Sequence, residues 1–143
     1  MGTNKLVYTV VFGLNCFFAA GCASDSPTAP TADQIELNSV VPAAGTVLRA
    51  GERVTFTAVV TGTIVSSDGG FTGMVLQDQA NRSLLAPGEF PPQAVLPKGT
   101  TTVTLSHTYT IPEGGVSLTL AVPLFTNSST ETRAVTTRNY STR

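Results

Sequence analysis

The chain has 143 residues and a formal net charge of −1, and its eight Lys and Arg residues form no cluster. Nucleic-acid-binding surfaces depend on such basic clusters, so this class of partner is excluded. Both cysteines, Cys16 and Cys22, lie near the N-terminus. The remaining residues therefore have to fold without a disulfide, and a domain of about 110 residues is large enough to do so around its own core.

The N-terminal segment has the form of a secretory signal. Lys5 precedes an apolar run over residues 6–20, which is shorter than the roughly 20 apolar residues of a membrane-spanning helix. The Ala-Ala-Gly-Cys ending at residues 19–22 resembles the lipobox of bacterial lipoproteins. This resemblance implies that residues 1–21 are a lipoprotein signal peptide and that the thiol of Cys22 carries lipid. The alternatives are an ordinary signal peptide cleaved nearby and an uncleaved anchor.

The next residues are expected to connect the lipid to a folded domain. Residues 22–34 are small, polar and proline-bearing, so they predict a flexible tether that begins at the lipidated Cys22. Prolines favour extended conformations, and a tether of this length would hold the domain up to about 30 Å from the lipid surface. The predicted location is the bacterial cell envelope, with the protein anchored to a membrane by its lipid and facing the periplasm or the cell exterior.

Alternating apolar and polar residues follow from residue 35 onward, with turn residues between the alternating segments. Such alternation is typical of half-buried antiparallel strands. The predicted strands cover residues 35–41, 53–65, 71–78, 93–96, 100–111, 116–124 and 132–140. The Ser-Ser-Asp-Gly-Gly stretch at 66–70, residues 78–82 and the Pro-Glu-Gly-Gly stretch at 112–115 are predicted turns. The four prolines between residues 86 and 97 exclude a central strand there.

One apolar row is more regular than the others. Val116, Leu118, Leu120, Val122 and Leu124 alternate without interruption and predict a strand with one buried face. Pro123 lies within this row and has no N–H to donate, so we expect strand pairing to fail or bulge on one side at that residue.

These elements predict an all-β fold, an antiparallel β-sandwich of seven or eight strands over residues 35–143. Pro42, Gly45 and Gly51 punctuate the chain before the Val-Thr-Phe-Thr strand that starts at Val54, and this pattern resembles bacterial immunoglobulin-like domains. The resemblance implies an immunoglobulin-like or fibronectin III-like sandwich. An up-and-down barrel is the alternative.

Few residues have side chains that could take part in catalysis or bind a metal ion. His107 is the single histidine and lies in phase with Leu105 and Tyr109, which favours a partly buried structural residue bonded to a neighbouring carbonyl or hydroxyl. Ser106 is adjacent to it, but neighbouring strand residues point to opposite faces, so the two cannot act as nucleophile and base. The acidic residues lie in or beside turns, where Asp serves backbone conformation. We therefore predict no catalytic residue, no metal site and no cofactor.

The resulting prediction is a lipid-anchored, non-catalytic domain for binding, adhesion or a structural role, with a protein or glycan ligand. Phe90, Glu89 and Leu84 form the candidate binding loop, because a loop has no evident reason to keep an aromatic residue. The competing interpretation is that Phe90 and Leu84 fold back to cover a sheet edge. Alternative functions are a carbohydrate-binding module, for which Phe71, Phe90, Phe125 and Tyr140 are the available aromatics, and a small envelope enzyme with an unrecognised site.

The lipobox resemblance can be tested directly. Mass spectrometry of the mature N-terminus should show a chain that starts at Cys22 and carries the added mass of acyl chains. Cys22→Ser should abolish the added mass and release or trap the protein. An unmodified start at any other residue would contradict the prediction.

Overall fold

A computed structural model describes residues 29–143, which form seven strands and no helix. In that range there is accordingly no helix with the length and apolarity to cross a membrane. The all-β prediction is confirmed, whereas the signal segment predicted for 1–21 and Cys22 lie outside the described residues. The strands are β1 (Gln34–Val41), β2 (Val47–Leu48), β3 (Arg53–Gly73), β4 (Val75–Gln77), β5 (Gln93–Thr110), β6 (Ser117–Thr126) and β7 (Ser129–Thr142).

All seven strands belong to one continuous hydrogen-bonded sheet. Its order is β1-β3-β6-β7-β2, with β5 on β3 and β4 on β6. Every pairing is antiparallel except that of β2 with β7. The prediction of a purely antiparallel arrangement is therefore wrong at this pair. β1 pairs with β3. After Pro42 and the turn that follows it, the chain continues in the same direction but lies beside β7, so β2 pairs with β7 in parallel.

β3 and β5 are longer than predicted because they fold over together. Residues 53–64 of β3 pair with β5, four residues then bulge out, and pairing resumes at Gly69 opposite Pro97. The predicted turn at 66–70 therefore does not end the strand, and the segments predicted at 93–96 and 100–111 are one strand. The chain nevertheless doubles back at the bulge. A Cβ on Gly70 would lie 3.0 Å from Ile64 Cδ1, whereas six residues of extended strand span roughly 20 Å.

The fold-over brings strands that are not hydrogen-bonded to each other around one core. Phe56 of β3 packs edge-on against Tyr140 of β7, a strand with which β3 does not pair, at 5.1 Å between ring centroids. It also packs edge-on against Tyr109 of its partner strand β5 at 5.8 Å. Burial raises the pKa of Tyr109 to about 12, and its hydroxyl donates to the Met74 carbonyl at 3.0 Å. The fully buried members of this core include Ala58, Val60, Leu76, Leu118, Leu120 and Val122.

The row predicted for β6 is confirmed as a core face, and Pro123 disturbs the sheet as expected. β6 pairs with β4 through Ala121 and with β3 from Leu124 onward, and the two residues between have no strand partner on that side. On that side the Pro123 carbonyl accepts a hydrogen bond from Thr72 Oγ1 at 2.8 Å. The break therefore coincides with the residue that has no N–H to donate.

Asp33 joins the start of the domain to the fold-over. Its buried carboxylate accepts hydrogen bonds from the backbone N–H of Val65 at 2.9 Å and of Ser66 at 3.0 Å, and also from the Ser66 hydroxyl. Arg133 Nε of β7 lies 3.3 Å away. The Ser66 hydroxyl, the two N–H groups and Arg133 hold the pKa of Asp33 well below its usual range. Asp33 therefore belongs to the folded domain, although it lies inside the segment predicted as tether.

The close approach at the fold-over predicts different costs for two glycines of β3. A Cβ on Gly70 would overlap the backbone carbonyl of Phe125, so Gly70→Ala should cost about 1–3 kcal/mol or more of unfolding free energy. A Cβ on Gly62 would overlap the end of the Leu96 side chain but no backbone atom, and a side chain can adjust with less change to the fold than a paired strand. Denaturant titrations should therefore show a clearly smaller loss for Gly62→Ala, and equal losses would show that the fold-over is not held by this contact.

The Asp33 contacts predict an acid-sensitive contribution to stability. Because the folded-state pKa lies below the ordinary value of 3.8, the carboxylate stabilises the fold above that pH and loses its effect as the pH falls further. Asp33→Asn should cost about 1.5–3 kcal/mol at neutral pH, as expected for hydrogen bonds to a charged group. The difference in melting temperature from the wild type should narrow toward about pH 3. A difference that does not change with pH would contradict this role.

Candidate binding surface

Strand alternation leaves an apolar row on the outer side of the sheet. In β6 the residues at 118, 120, 122 and 124 are buried, so Phe125 points to the opposite side. Phe125 pairs with Phe71 of β3, and Phe71 pairs with Val95 of β5. The two phenyl rings stack at 4.9 Å between centroids with 18° between their planes, and Val95 is 81% exposed.

The apolar surface extends beyond this row. Val75 pairs with Ala121, and Pro123 pairs with Val135, which is 56% exposed. Paired residues of an antiparallel sheet share a face, so both pairs continue the row. We call these residues the apolar face: Phe71, Val75, Val95, Ala121, Pro123, Phe125 and Val135. None of them carries a charge or a side-chain hydrogen-bonding group.

A depression of about 380 Å³ lies in the middle of the apolar face, and we call it the socket. Gly73 lies in its lining together with the two stacked phenyl rings and Val75. The side chains that line it are uncharged, and only Ser83 and Gln93 among them are polar. Its lining residues are Phe71, Gly73, Met74, Val75, Ser83, Leu85, Pro91, Gln93, Pro123 and Phe125.

Residues 78–92 connect β4 to β5 and complete one wall of the socket. Asp78 Oδ1 accepts the backbone N–H groups of Ala80 at 2.8 Å and Arg82 at 2.9 Å, and these bonds lower the pKa of Asp78. The predicted turn at 78–82 is therefore present. After the turn, Leu84 N–H donates to the Leu76 carbonyl at 2.9 Å and its side chain packs against the core. Leu85, also packed against the core, lines the socket.

The three residues of the predicted binding loop have different surroundings in the structure. Leu84 covers the core, which agrees with the edge-covering interpretation, whereas Phe90 is 84% exposed and covers nothing. Edge covering is therefore wrong for Phe90. Glu89 turns back instead: its Oε2 accepts the Ala86 N–H at 3.1 Å and lies 3.4 Å from His107 Nε2. This leaves Phe90 projecting beside Pro91, which lines the socket.

His107 is partly buried, as expected, but its partner differs from the one predicted. Its ring packs against Tyr109 at 4.6 Å between centroids, and Nε2 faces the Glu89 carboxylate rather than a carbonyl or hydroxyl. Nε2 makes no hydrogen bond of good geometry. Ser106 lies on the other face, where its hydroxyl is 3.1 Å from Thr57 Oγ1. The structure thus keeps the histidine and the serine apart.

Other candidates from the sequence divide between core and surface. Tyr140 is buried, with its hydroxyl donating to the Pro42 carbonyl at 2.9 Å, and is no ligand platform. Phe71 and Phe125 border a second, polar depression formed by the β6–β7 turn with Asn127 and Glu131. No group of three His, Cys, Asp or Glu residues within 29–143 is placed to hold a metal ion.

The sequence did not reveal the apolar face as a unit. Phe71 and Val75 lie in the strand predicted at 71–78, whose apolar residues fall on both phases, and Val95 lies in the strand predicted at 93–96, whose neighbours the sequence does not show. The sequence nevertheless contains a signal for the apolar face. A strand with apolar residues on both faces is either covered on both faces or leaves one apolar face exposed to solvent. Only the cross-strand register joins Phe71, Phe125 and Val95.

No family model matches the chain, and no curated protein shows significant similarity to it. Among solved structures, the ASH/PapD-like domain of human CEP192 (PapD-like domain 7) is similar over 99% of this chain and 96% of its own, with 12% identity and a TM-score of 0.38. A family 123 glycoside hydrolase from Clostridium perfringens is similar over 77% of this chain and 26% of its own, with 8% identity and a TM-score of 0.32.

Proposed function

We propose that this chain is a lipid-anchored protein of the bacterial cell envelope whose immunoglobulin-like β-sandwich is a non-catalytic binding domain. The anchor rests on the Ala-Ala-Gly-Cys ending at 19–22. The proposed tether is the small, polar and proline-bearing stretch between Cys22 and Asp33, because Asp33, eleven residues after Cys22, already bonds to the folded domain. At 3.1 Å per extended residue, the domain would stay within about 35 Å of the lipid surface.

The sandwich interpretation rests on which strands share the core. β1 and the first part of β3 have no backbone pairing with β6 or β7, yet Leu37 and Phe56 pack in one cluster with Leu120 and Tyr140. Two groups of strands that face each other across a common core are the arrangement of a β-sandwich. Arg138 of β7 also reaches across to the Leu37 carbonyl of β1 at 3.3 Å and joins the two groups along one side.

Exposed apolar residues carry the binding proposal. Phe90 and Val95 are both more than four-fifths exposed and flank the socket, whose other apolar residues lie beside them. Single exposed apolar residues are ordinary, but a contiguous apolar patch on a soluble domain marks an interaction surface. The patch contains no charged residue, so the ligand region that contacts it should be apolar and uncharged.

The non-catalytic assignment rests on the arrangement of the few reactive side chains. His107 faces Glu89 beneath the loop, and Ser106 pairs with Thr57 on the opposite face. A nucleophile and its base need to lie within hydrogen-bonding distance of each other. The arrangement therefore supports a packing role for His107.

A carbohydrate-binding function is the second candidate. It is favoured by the stacked pair Phe71 and Phe125, which borders the polar depression at the β6–β7 turn. Aromatic rings beside hydroxyl and amide groups suit a sugar, which has apolar and polar sides. This candidate places the ligand at Asn127 and Ser128 and does not require Phe90.

The proposal predicts that Phe90 decides ligand capture. Full-length chains carrying Cys22→Ser should be used as bait for detergent-free envelope extracts, with Phe90→Ser as the test and Val41→Ser as the control. Val41 is 66% exposed and lies at the end of β1. Capture should fall roughly tenfold or more for Phe90→Ser, as for an aromatic hot spot, with an unchanged melting temperature. Val41→Ser should leave capture unaltered.

Two outcomes would contradict the binding surface. Equal capture by both variants would remove Phe90 from the interface. Capture that is insensitive to Phe90→Ser but is competed by soluble glycans and lost in Asn127→Ala would favour the carbohydrate-binding candidate.

A further inference from the structure

Phe90 and the socket form a projecting group and a recess on the same surface. Phe90 is 84% exposed, and the next residue, Pro91, lines the socket. The loop that presents Phe90 is fastened on both sides of it. Glu89 Oε2 accepts the Ala86 N–H, and the Pro92 carbonyl accepts the Met74 N–H at 3.2 Å. Phe90 is therefore held out into solvent by an ordered loop.

The recess matches the projecting side chain in chemistry. A phenyl ring offers apolar surface and no hydrogen-bonding group, and the socket is walled by two phenyl rings, Val75, Leu85 and two prolines. Aromatic pairs gain from offset or edge-to-face packing. The socket volume of about 380 Å³ leaves room for a phenyl side chain. Phe90 cannot fill the socket of its own chain while it projects into solvent.

A second copy of the chain carries the same projecting Phe90 and the same socket, so two copies can make the contact twice. Two surfaces that each carry a projecting group and a recess can meet about a two-fold axis, so that each Phe90 enters the socket of the other chain. Like charges would oppose such a contact, but the apolar face and the socket carry none. The nearest carboxylate, that of Glu89, turns back to accept the Ala86 N–H. A charged or strongly polar partner would leave its own groups without bonds there.

We propose that the chain self-associates through reciprocal insertion of Phe90 into the socket of a second copy. This inference rests on the proposed function, because it names the partner of the same surface. Attachment of many copies to one membrane by a short tether would raise their local concentration and favour the contact.

The test is sedimentation equilibrium of the full-length chain carrying Cys22→Ser, over a range of protein concentrations. The wild-type surface should give a reversible monomer–dimer equilibrium. Phe90→Ser should weaken the dimer by roughly tenfold or more, as loss of a buried aromatic anchor does. Val41→Ser, which removes an exposed apolar side chain elsewhere, should leave the dimer unchanged.

Mixing two defective chains gives a sharper test. Val75→Lys places a charge in the socket but keeps Phe90, whereas Phe90→Ser keeps the socket. Each variant alone should associate more weakly than the wild type, and an equal mixture should recover part of the association because one of the two contacts is restored. If Val75→Lys lowers the melting temperature, Gln93→Glu puts a charge at the exposed rim of the socket without changing the core.

The outcomes separate this inference from the proposed function. A chain that stays monomeric at all concentrations, or a dimer that is insensitive to Phe90→Ser, overturns self-association. If such a monomer still captures an envelope component through Phe90, the binding function stands and its partner is another molecule. Phe90-dependent binding of the monomer to phosphatidylcholine vesicles would instead identify a lipid surface as the occupant.

Discussion

The fold depends on the change of direction that β3 makes at residues 65–70. β5 makes it together with β3, at residues 97–99. Most strands that change direction give up their pairing and enter a loop, but here the two strands stay hydrogen-bonded on both sides of the bulge. The reversal requires β6 to approach β3 closely, and Gly70 permits this because it has no side chain to meet the Phe125 carbonyl. Asp33 then fixes the bulge by binding the N–H groups of Val65 and Ser66. One carboxylate and one glycine thus set how the two groups of strands face each other.

The outer surface follows from the same reversal. Once Gly70 faces the core, strand alternation turns Phe71, Gly73 and Val75 outward, and the register with β6 and β5 adds Phe125 and Val95 beside Phe71. Gly73, which has no side chain, lies in the lining of the recess in this surface. Residues 78–92 connect β4 to β5 beside this surface. Phe90 lies in this connection, next to Pro91, which lines the recess. The proposed contact surface is therefore a consequence of the fold-over.

Much of the strand content could be predicted from the sequence, because burial of one face of a strand makes apolar and polar residues alternate along it. The Leu118–Leu124 row, the interruption at Pro123 and the turns at 78–82 and 112–115 are found as expected. The continuity of β3 through residues 66–70 could not be predicted, since Ser, Asp and Gly favour turns whether or not the backbone remains paired. Asp33 was assigned to the tether for a similar reason. Its role depends on two N–H groups more than thirty residues away, and no local pattern reveals them.

The candidate site was predicted in part. An aromatic residue in a proline-rich loop indicates Phe90, which is exposed and has no core role, but the socket beside it is formed by residues of four strands and one loop. Hydrogen–deuterium exchange of the Cys22→Ser chain at low and high protein concentration tests the central claim most directly. The account predicts slower exchange at residues 71–77 and 83–97 as concentration rises, with no change in β1. Exchange that is independent of concentration at those residues, or protection that appears at β1 instead, would contradict it.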